Sequence, residues 1–285
     1  MCCHPKKSAE AIIADLTKDL NVILDQDSFS ITKDSNYYSP SEVSEINYDD
    51  YGLKIMHINI QSLPAKIDSL KLLLSKLSEL GIVIDILLVC ETFLTDNKVS
   101  SCVINNYVLY ETHRNSRTGG GVGIYVHKNI KGQCRDDLQL FIEGQFESKF
   151  IEIDHHGKQI VLGEIYRIPG SDLDSFFDDY SKIITKINDE RKTLIIGTDQ
   201  NIDYLKLTEH SKTAKFLDIN LQLDLVPMIS RPTRITSRSA TLIDNLYTND
   251  ISHVKSAILL TDLSDHLPCC LFFGKNAKTK LHKFT

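Results

Sequence analysis

The sequence predicts an α+β fold of four layers, two mixed β-sheets packed face to face with helices on the outside. Three observations lead there. The runs Ile82 to Cys90 and Thr193 to Gly197 are almost wholly apolar, as expected of strands covered on both faces. The order of elements is β-α-β, several strands, α-β, α and then strands, so neighbouring strands need not be parallel. No fixed-period repeat and no regular β/α alternation is present, which argues against a solenoid or a barrel.

Residues 1–50 read as an N-terminal extension. Ala11, Ile12, Leu16, Leu20 and Ile23 fall at helical spacing, and the stretch from Ser28 to Asp50 is polar, with little core of its own. The domain is expected over 51–275, with a basic tail at 276–285. Leu53 to Ile60 alternates as a half-buried strand. Leu63, Ile67, Leu70, Leu74 and Leu77 step as an amphipathic helix with Pro64 in its first turn, and Gly81 ends it. The strand Ile82 to Cys90 stops at Glu91. A weaker strand, Val108 to Thr112, leads through a polar turn, Arg114 to Thr118, into Gly119-Gly120-Gly121-Val122-Gly123-Ile124. This glycine run lacks the G-K-[ST] of a phosphate loop and precedes a strand, so it serves a backbone turn or a close approach.

Phe146 to Ile153 and Gln159 to Tyr166 form a strand pair about a His155-His156-Gly157-Lys158 turn. Ser171 with Asp174 resembles an N-cap, and Leu173, Phe176, Phe177, Tyr180, Ile183, Ile184 and Ile187 mark the helix it opens. The strand Thr193 to Gly197 ends at Thr198-Asp199-Gln200-Asn201. A third helix is expected over about Lys212 to Leu221. Strands follow at Ala240 to Tyr247, Val254 to Leu260 and Leu267 to Phe273.

Composition bounds the function. The chain has 285 residues with 32 Lys and Arg against 38 Asp and Glu, a net charge of −6, which disfavours a broadly basic nucleic-acid binder. Seven cysteines without a C-x-x-C pair point to a reducing compartment. Cys2-Cys3-His4 reads as neither a metal site nor a lipid site. Neither a secretory signal nor a membrane-length apolar run is present. The location expected is intracellular and nuclear.

Polar residues stand where apolar strands stop: Asn59, Glu91, Asp199 with Asn201, and Asp265-His266 before the last strand. Asp244 lies inside Thr241 to Tyr247. Each alone reads as a turn, cap or structural acid. Together they are carboxylates, amides and an imidazole on rigid supports, a set suited to positioned acid–base chemistry.

The pieces His57-Ile-Asn59-Ile-Gln-Ser-Leu63, Cys90-Glu91-Thr92, Gly120-Gly121-Val122-Gly123-Ile124, Tyr166-Arg167-Ile-Pro169, Ile196-Gly197-Thr198-Asp199-Gln200-Asn201, Leu242-Ile243-Asp244-Asn245 and Ser264-Asp265-His266 run in one order from residue 53 to 273. In that order they resemble the endonuclease/exonuclease/phosphatase family, with the fold of deoxyribonuclease I and exonuclease III. The wording is most similar to the endonuclease domains of non-LTR retrotransposons, through Tyr166-Arg167-Ile-Pro169 and Pro232-Thr-Arg…Thr241-Leu-Ile-Asp. The resemblance implies a Mg²⁺- or Mn²⁺-dependent endonuclease nicking DNA to leave a 3′-hydroxyl. Glu91 would bind the cation, Asn59 would place it together with a phosphate oxygen, and Asp265 would be a second acidic residue of the metal site. Asp199 would activate water and Asn201 would donate to the phosphoryl oxygens. Asp244 would hold the ring of His266, which would stabilise developing charge or act as acid or base.

Three positions depart from the family's pattern. Thr198 replaces a glycine, Arg117-Thr118-Gly119 stands where many relatives carry a tyrosine, and Gln61 replaces an acid found in some. Tyr166, Arg167, Arg231, Arg234 and Arg117 are the expected DNA contacts, with Arg114 at the same rim and Arg238 in the same loop as Arg231 and Arg234. No protein partner is implied. No reverse-transcriptase segment follows within these residues, which points to a detached, truncated or domesticated element product. Two alternatives stand beside the endonuclease: a phosphatase or phosphodiesterase of the same fold on a smaller ester, and an inactive nucleic-acid- or protein-binding module.

Overall fold

The structure, a computed structural model, describes residues 35–46, 48–115 and 119–275. The strands in chain order are β1 (Asn36–Tyr38), β2 (Tyr51–Asn59), β3 (Ile86–Cys90), β4 (Tyr107–Thr112), β5 (Val122–His127), β6 (Gly132–Cys134), β7 (Phe141–Ile142), β8 (Phe146–His155), β9 (Lys158–Arg167), β10 (Thr193–Asp199), β11 (Val226–Pro227), β12 (Arg234–Ile235), β13 (Ala240–Thr241), β14 (Asp244–Thr248), β15 (Val254–Leu259) and β16 (Cys269–Lys275). The helices are α1 (Leu63–Glu79), α2 (Leu173–Asp189) and α3 (Ser211–Gln222), with a single helical turn at Asp96–Val99.

Two mixed sheets result. The first runs β1-β15-β16-β2-β3-β5-β4 and the second β11-β14-β10-β9-β8-β6, with β7 beside β8. The β2–β3 and β10–β9 pairs are parallel, and each is joined through a helix. Leu53, Ile55, Ile86, Leu88, Ile124 and Leu271 from the first sheet share one core with Ile151, Leu162 and Ile195 from the second. On the outside of the first sheet, Met56, Ile58, Leu87 and Val89 pack against Leu70, Leu74 and Leu77 of α1. On the outside of the second, Phe146 meets Phe176 of α2, and Phe177 stacks on Phe216 of α3 at 5.4 Å. Helix, sheet, sheet and helices are the four layers expected. No described helix is long and apolar enough to cross a membrane.

The inter-sheet face changes character along single strands. In β2 the residues facing the second sheet are Leu53 and Ile55, then by strict alternation His57 and Asn59, all with no exposure. In β9 the order is Leu162, Glu164 and Tyr166. In β10 it is Ile195, Gly197 and Asp199. One half of the interface is hydrocarbon and the other is polar and buried.

Three local expectations are corrected. The polar stretch before residue 51 is not free of core: Asn36–Tyr38 pairs in parallel with β15, and Val43 and Ile46 are buried in the α1 layer. Its apolar residues are too sparse for a periodic signal, and its pairing partners lie more than two hundred residues away in the chain. Asp172, not Ser171, caps α2 by accepting Ser175 N at 2.7 Å. The run Ala240 to Tyr247 is two strands in different sheets, β13 and β14. The helix expected at 11–23, Cys2-Cys3-His4, Arg117 and the tail at 276–285 lie outside the described residues.

Candidate active site

The polar end of the inter-sheet face is built on four strand ends. Beyond β2, Ile60 N and Ser62 N bond Cys90 O and Glu91 O at 3.1 and 2.9 Å. On the other flank Thr92 N and Phe93 N bond Gly121 O and Gly120 O at 3.2 and 2.8 Å. Glu91 is thus fixed between two backbones. The glycine run makes the second contact possible, because a Cβ on Gly121 would stand 2.4 Å from Thr92 Oγ1. Gln61, Ser62, Glu91, Phe93 and Asn201 all have positive φ, at 46°, 85°, 49°, 53° and 49°. Such conformations are held only where the surroundings determine them, and here they mark three of the strand ends.

Asn59 Nδ2 donates to Glu91 Oε1 and to Asp199 Oδ2, each at 2.8 Å. One amide therefore joins the ends of β2, β3 and β10. Asp199 Oδ1 accepts Asn201 N at 3.1 Å. Asp199 also lies in register with Tyr166 of β9 and Asp244 of β14. Asp244 takes the imidazole of His266, whose Nδ1 lies 3.0 and 2.9 Å from Oδ1 and Oδ2. Both are buried, at 1% and 3% exposure.

Burial and charge set the protonation of this group. Burial and the charge of Asp244 raise the Asp199 carboxyl to about 7, against the opposing pull of His266 and the Asn59 hydrogen bond. Burial alone would lower His266, but Asp244's charge and hydrogen bond, with Asp199 and Asp265 near, lift it to about 9. Burial works against the Asp244 carboxylate, yet His266 and His57 together hold it well below the usual range. Asp244 is an anion, His266 a cation, and Asp199 a carboxyl poised near neutrality. Tyr166 is pushed up by burial and by the charges of Glu91 and Asp199, with a hydrogen bond to Glu91.

Thr198, where the family carries glycine, lies in regular strand, paired with Ile165 and Asn245. Its side chain points away from Asp199 by strand alternation, so the backbone there asks for no glycine.

The predicted substrate contacts divide. Arg167 is corrected: it is 4% exposed, and its guanidinium donates to Gln200 O at 2.6 Å, Asn201 O at 2.9 Å, Ile168 O at 3.2 Å and Ser171 Oγ at 2.9 Å. Its guanidinium is thus divided between the loop after β9 and the loop after β10 and ties the two together. Asn201 Nδ2 donates back to Arg167 O at 2.8 Å. Arg114 donates through Nε to the buried Glu147 and lies against Gly120. Arg234, expected on DNA, and Asp265, expected at a metal, meet each other, with Nε 2.8 Å from Oδ2. Arg231 lies close enough to Tyr37 for its charge to act on the phenol, and Tyr37 Oη anchors the same loop through Pro232 O at 2.9 Å. Arg238 is exposed in the β12–β13 turn.

Three residues escaped the sequence reading. Thr233 Oγ1 donates to Asp244 Oδ2 at 2.6 Å and accepts Asp244 N at 3.1 Å, so it orients the carboxylate from below. Its place in Pro232-Thr-Arg was visible, but its partner was not. His57 and Glu164 form a fully buried pair, Nδ1 to Oε2 at 3.1 Å. Strand alternation places His57 on the face of Asn59, and that was the available signal.

Among the described residues, two clusters bring three ligating atoms within 4.8 Å: Asp199, Asp244 and His266, and His57, Cys90 and Glu164. Glu91 and Asp265 belong to neither. Their oxygens, with the Asn59 amide, are the hard donors that Mg²⁺ or Mn²⁺ takes in small number beside water and phosphate. Asp265 Oδ1 is buried without a hydrogen-bond partner, which fits a place near a cation.

No protein-family model and no curated protein matches the sequence. Solved structures do match. The endonuclease domain of TRAS1, a telomere-specific non-LTR retrotransposon, gives a TM-score of 0.60 at 15% identity, over 78% of this chain and 98% of that one. The 3′ phosphatase NExo from Neisseria, solved with a product DNA hairpin, gives 0.58 at 16% identity, over 78% and 99%. An endonuclease/exonuclease/phosphatase family protein from Leptotrichia buccalis gives 0.55 at 15%, again over 78% and 99%. The two packed sheets with their outer helices thus have the endonuclease/exonuclease/phosphatase fold.

Proposed function

We propose that this chain is a metal-dependent DNA endonuclease that nicks one strand and leaves a 3′-hydroxyl. The observation that carries the reading is the meeting of Asp199, held at about 7, with a His266 clamped by Asp244. A carboxyl at that value can take a proton from water at neutral pH. His266 spends Nδ1 on Asp244, so Nε2–H is the edge left for substrate. Kept cationic, it donates to a phosphoryl oxygen where negative charge develops. Asn201 retains one amide hydrogen after its bond to Arg167 O, and the Tyr166 hydroxyl faces the same space. A divalent cation held by Glu91, Asn59 and Asp265, Mg²⁺ or Mn²⁺, would supply Lewis acidity when bound. The water oxygen bonds to phosphorus as its proton passes to Asp199. The bond from phosphorus to the 3′ oxygen breaks, the departing 3′ oxygen takes a proton from solvent water, and Asp199 returns its proton to solvent, leaving a 5′-phosphate and a 3′-hydroxyl.

The similar folds of a retrotransposon endonuclease domain and of a phosphatase solved with product DNA support a nucleic-acid substrate. Arg231 and Arg238 are the basic residues of the rim offered to DNA, and DNA as substrate would place the working protein in the nucleus. The test is relaxation of supercoiled plasmid with Mg²⁺. Nicking is expected, lost with chelator and in Asp199→Ala and His266→Ala, and the nick should prime a DNA polymerase. Intact plasmid beside hydrolysis of inositol or lipid phosphates would favour the smaller-ester reading. DNA bound but left uncut would favour the binding module.

A further inference from the structure

One buried charged pair takes no part in the mechanism above. His57 of β2 and Glu164 of β9 bridge the two sheets with no exposure. Room for them comes from Gly197 of β10, where a Cβ would stand 2.7 Å from Glu164 Oε2 and 2.8 Å from His57 Nδ1. A glycine inside a strand weakens it, and a buried ion pair is costly to desolvate. Neither is a device for stability, and their coincidence at one spot calls for another role.

The far edge of the imidazole supplies it. His57 Nε2 forms no hydrogen bond and lies 3.7 Å from Asp244 Oδ1. Asp244 therefore stands between two imidazoles, with His266 on its other side at 2.9 and 3.0 Å. We propose that Glu164 and His57 are positioning residues that hold Asp244 from behind, so that the Asp244–His266 pair is the outer half of a buried row, Glu164–His57–Asp244–His266. A carboxylate gripped from one side can turn about its Cβ–Cγ bond. With a second imidazole facing Oδ1 and Thr233 on Oδ2, its plane is set, and so is the ring it carries. Glu164 acts one step further back by fixing the ring of His57 through Nδ1. The inference rests on His266 being the catalytic imidazole of the proposed nuclease.

Three variants separate the contacts. Glu164→Gln keeps the shape and an acceptor but removes the charge. His57→Asn carries its amide near Nδ1 and loses the contact to Asp244. His57→Gln carries its amide near Nε2 and loses the contact to Glu164. In chelated protein, the Nδ1–H of His266 bonded to a carboxylate gives a far-downfield proton resonance, identified by its loss in His266→Gln. That resonance is expected to shift or broaden in Glu164→Gln and His57→Asn, and to move less in His57→Gln. On plasmid, the first two should lower kcat about 10-fold to 100-fold with KM unchanged, since neither residue reaches substrate. An unmoved resonance with unchanged kcat in Glu164→Gln and His57→Asn overturns the row. If the wild type cuts no nucleic acid, the resonance alone decides: a shift retains the row and removes only the nuclease reading, and no shift removes the row. Glu164→Gln, which alters no shape, keeps the test readable should the His57 variants fail to fold.

Discussion

Replacing Asp199 by asparagine should abolish nicking and at the same time stabilise the protein, by an amount that depends on pH. Asp199 is 1% exposed, and burial with the nearby charge of Asp244 raises its carboxyl from 3.8 to about 7. A carboxyl whose folded value lies above its unfolded value favours folding when protonated. That contribution is fully present below the unfolded value and is lost as pH rises through the folded one. At pH 8 the wild type therefore carries a penalty that the Asp199→Asn variant does not. At about 1.36 kcal/mol for each pH step, a rise from 3.8 to about 7 gives a ceiling of roughly 4 kcal/mol. The gain falls below that ceiling because the Asp199 charge also supports cationic His266, and because the amide nitrogen of the variant must face one of the two donors, Asn59 Nδ2 or Asn201 N, that the carboxyl oxygens accept. Even half of it is a large part of the ~5–15 kcal/mol that holds a domain. The assay is urea unfolding of both proteins in chelator at several pH values. Asp199→Asn should be the more stable at pH 8, and its advantage should shrink steadily as pH falls from 7 towards 4. Equal stability at pH 8, or an advantage independent of pH, would refute the assignment of a raised, buried carboxyl.

The other expectations concern supports and rim. Thr233→Val keeps the shape but strips Asp244 of a 2.6 Å hydrogen bond and leaves its backbone N–H without an acceptor; a loss of about 1.5–3 kcal/mol in unfolding free energy should accompany a fall in kcat, and an unchanged rate would remove Thr233 from the site. Gly197→Ala forces a methyl within 2.8 Å of His57 Nδ1 and Leu88 Cδ1; overpacking of this kind costs about 1–3 kcal/mol, read as a lowered melting temperature, and a neutral effect would mean that the polar layer yields easily. On DNA, Arg231→Ala should weaken binding and reduce the salt slope by about 1, whereas Arg234→Ala should do less because Asp265 already neutralises that guanidinium at 2.8 Å; equal slopes would reverse this ranking of the two arginines.

The layers were legible because they follow from periodicity. Ile82 to Cys90 reads as a buried strand, and Leu63 to Leu77 as a helix with one apolar face, wherever they occur. The polar cluster of the candidate site was legible where a polar residue ends an apolar run, as Glu91 and Asp199 do, or sits inside one, as Asp244 does. The pairing of Asp244 with His266 was legible only through the resemblance, and the readings that failed depended on other partners distant in the chain. Arg167 looked like a phosphate ligand because the sequence shows a cation at a strand end. It does not show the carbonyls of Gln200 and Asn201, which arrive just after β10 and take two of its nitrogens. The acid that Arg114 meets, Glu147 on β8, was equally out of sight in the sequence. The strand at Asn36–Tyr38 was missed because three residues carry no period, and its reality depends wholly on the edge of β15.

The position of the site follows from the same geometry. Two sheets that twist against each other bury a common face, and each strand contributes alternate residues to it. Leu53 and Ile55 of β2, Leu162 of β9 and Ile195 of β10 fill that face at one end. Continuing outward in the same alternation, His57, Asn59, Glu164, Tyr166 and Asp199 fill it at the other, with no change of backbone direction. The apolar half fixes where these side chains point before any of them interacts. The polar half is buried away from bulk solvent, so each group answers to its neighbours: Asp199 is raised by burial and by Asp244, and Asp244 is held down by two imidazoles. Moving the same residues to a solvated loop would return each to its ordinary value and dissolve the difference between Asp199 and Asp244. That difference, one carboxyl able to take a proton and one unable to, is what the burial of this face creates and what the proposed hydrolysis would use.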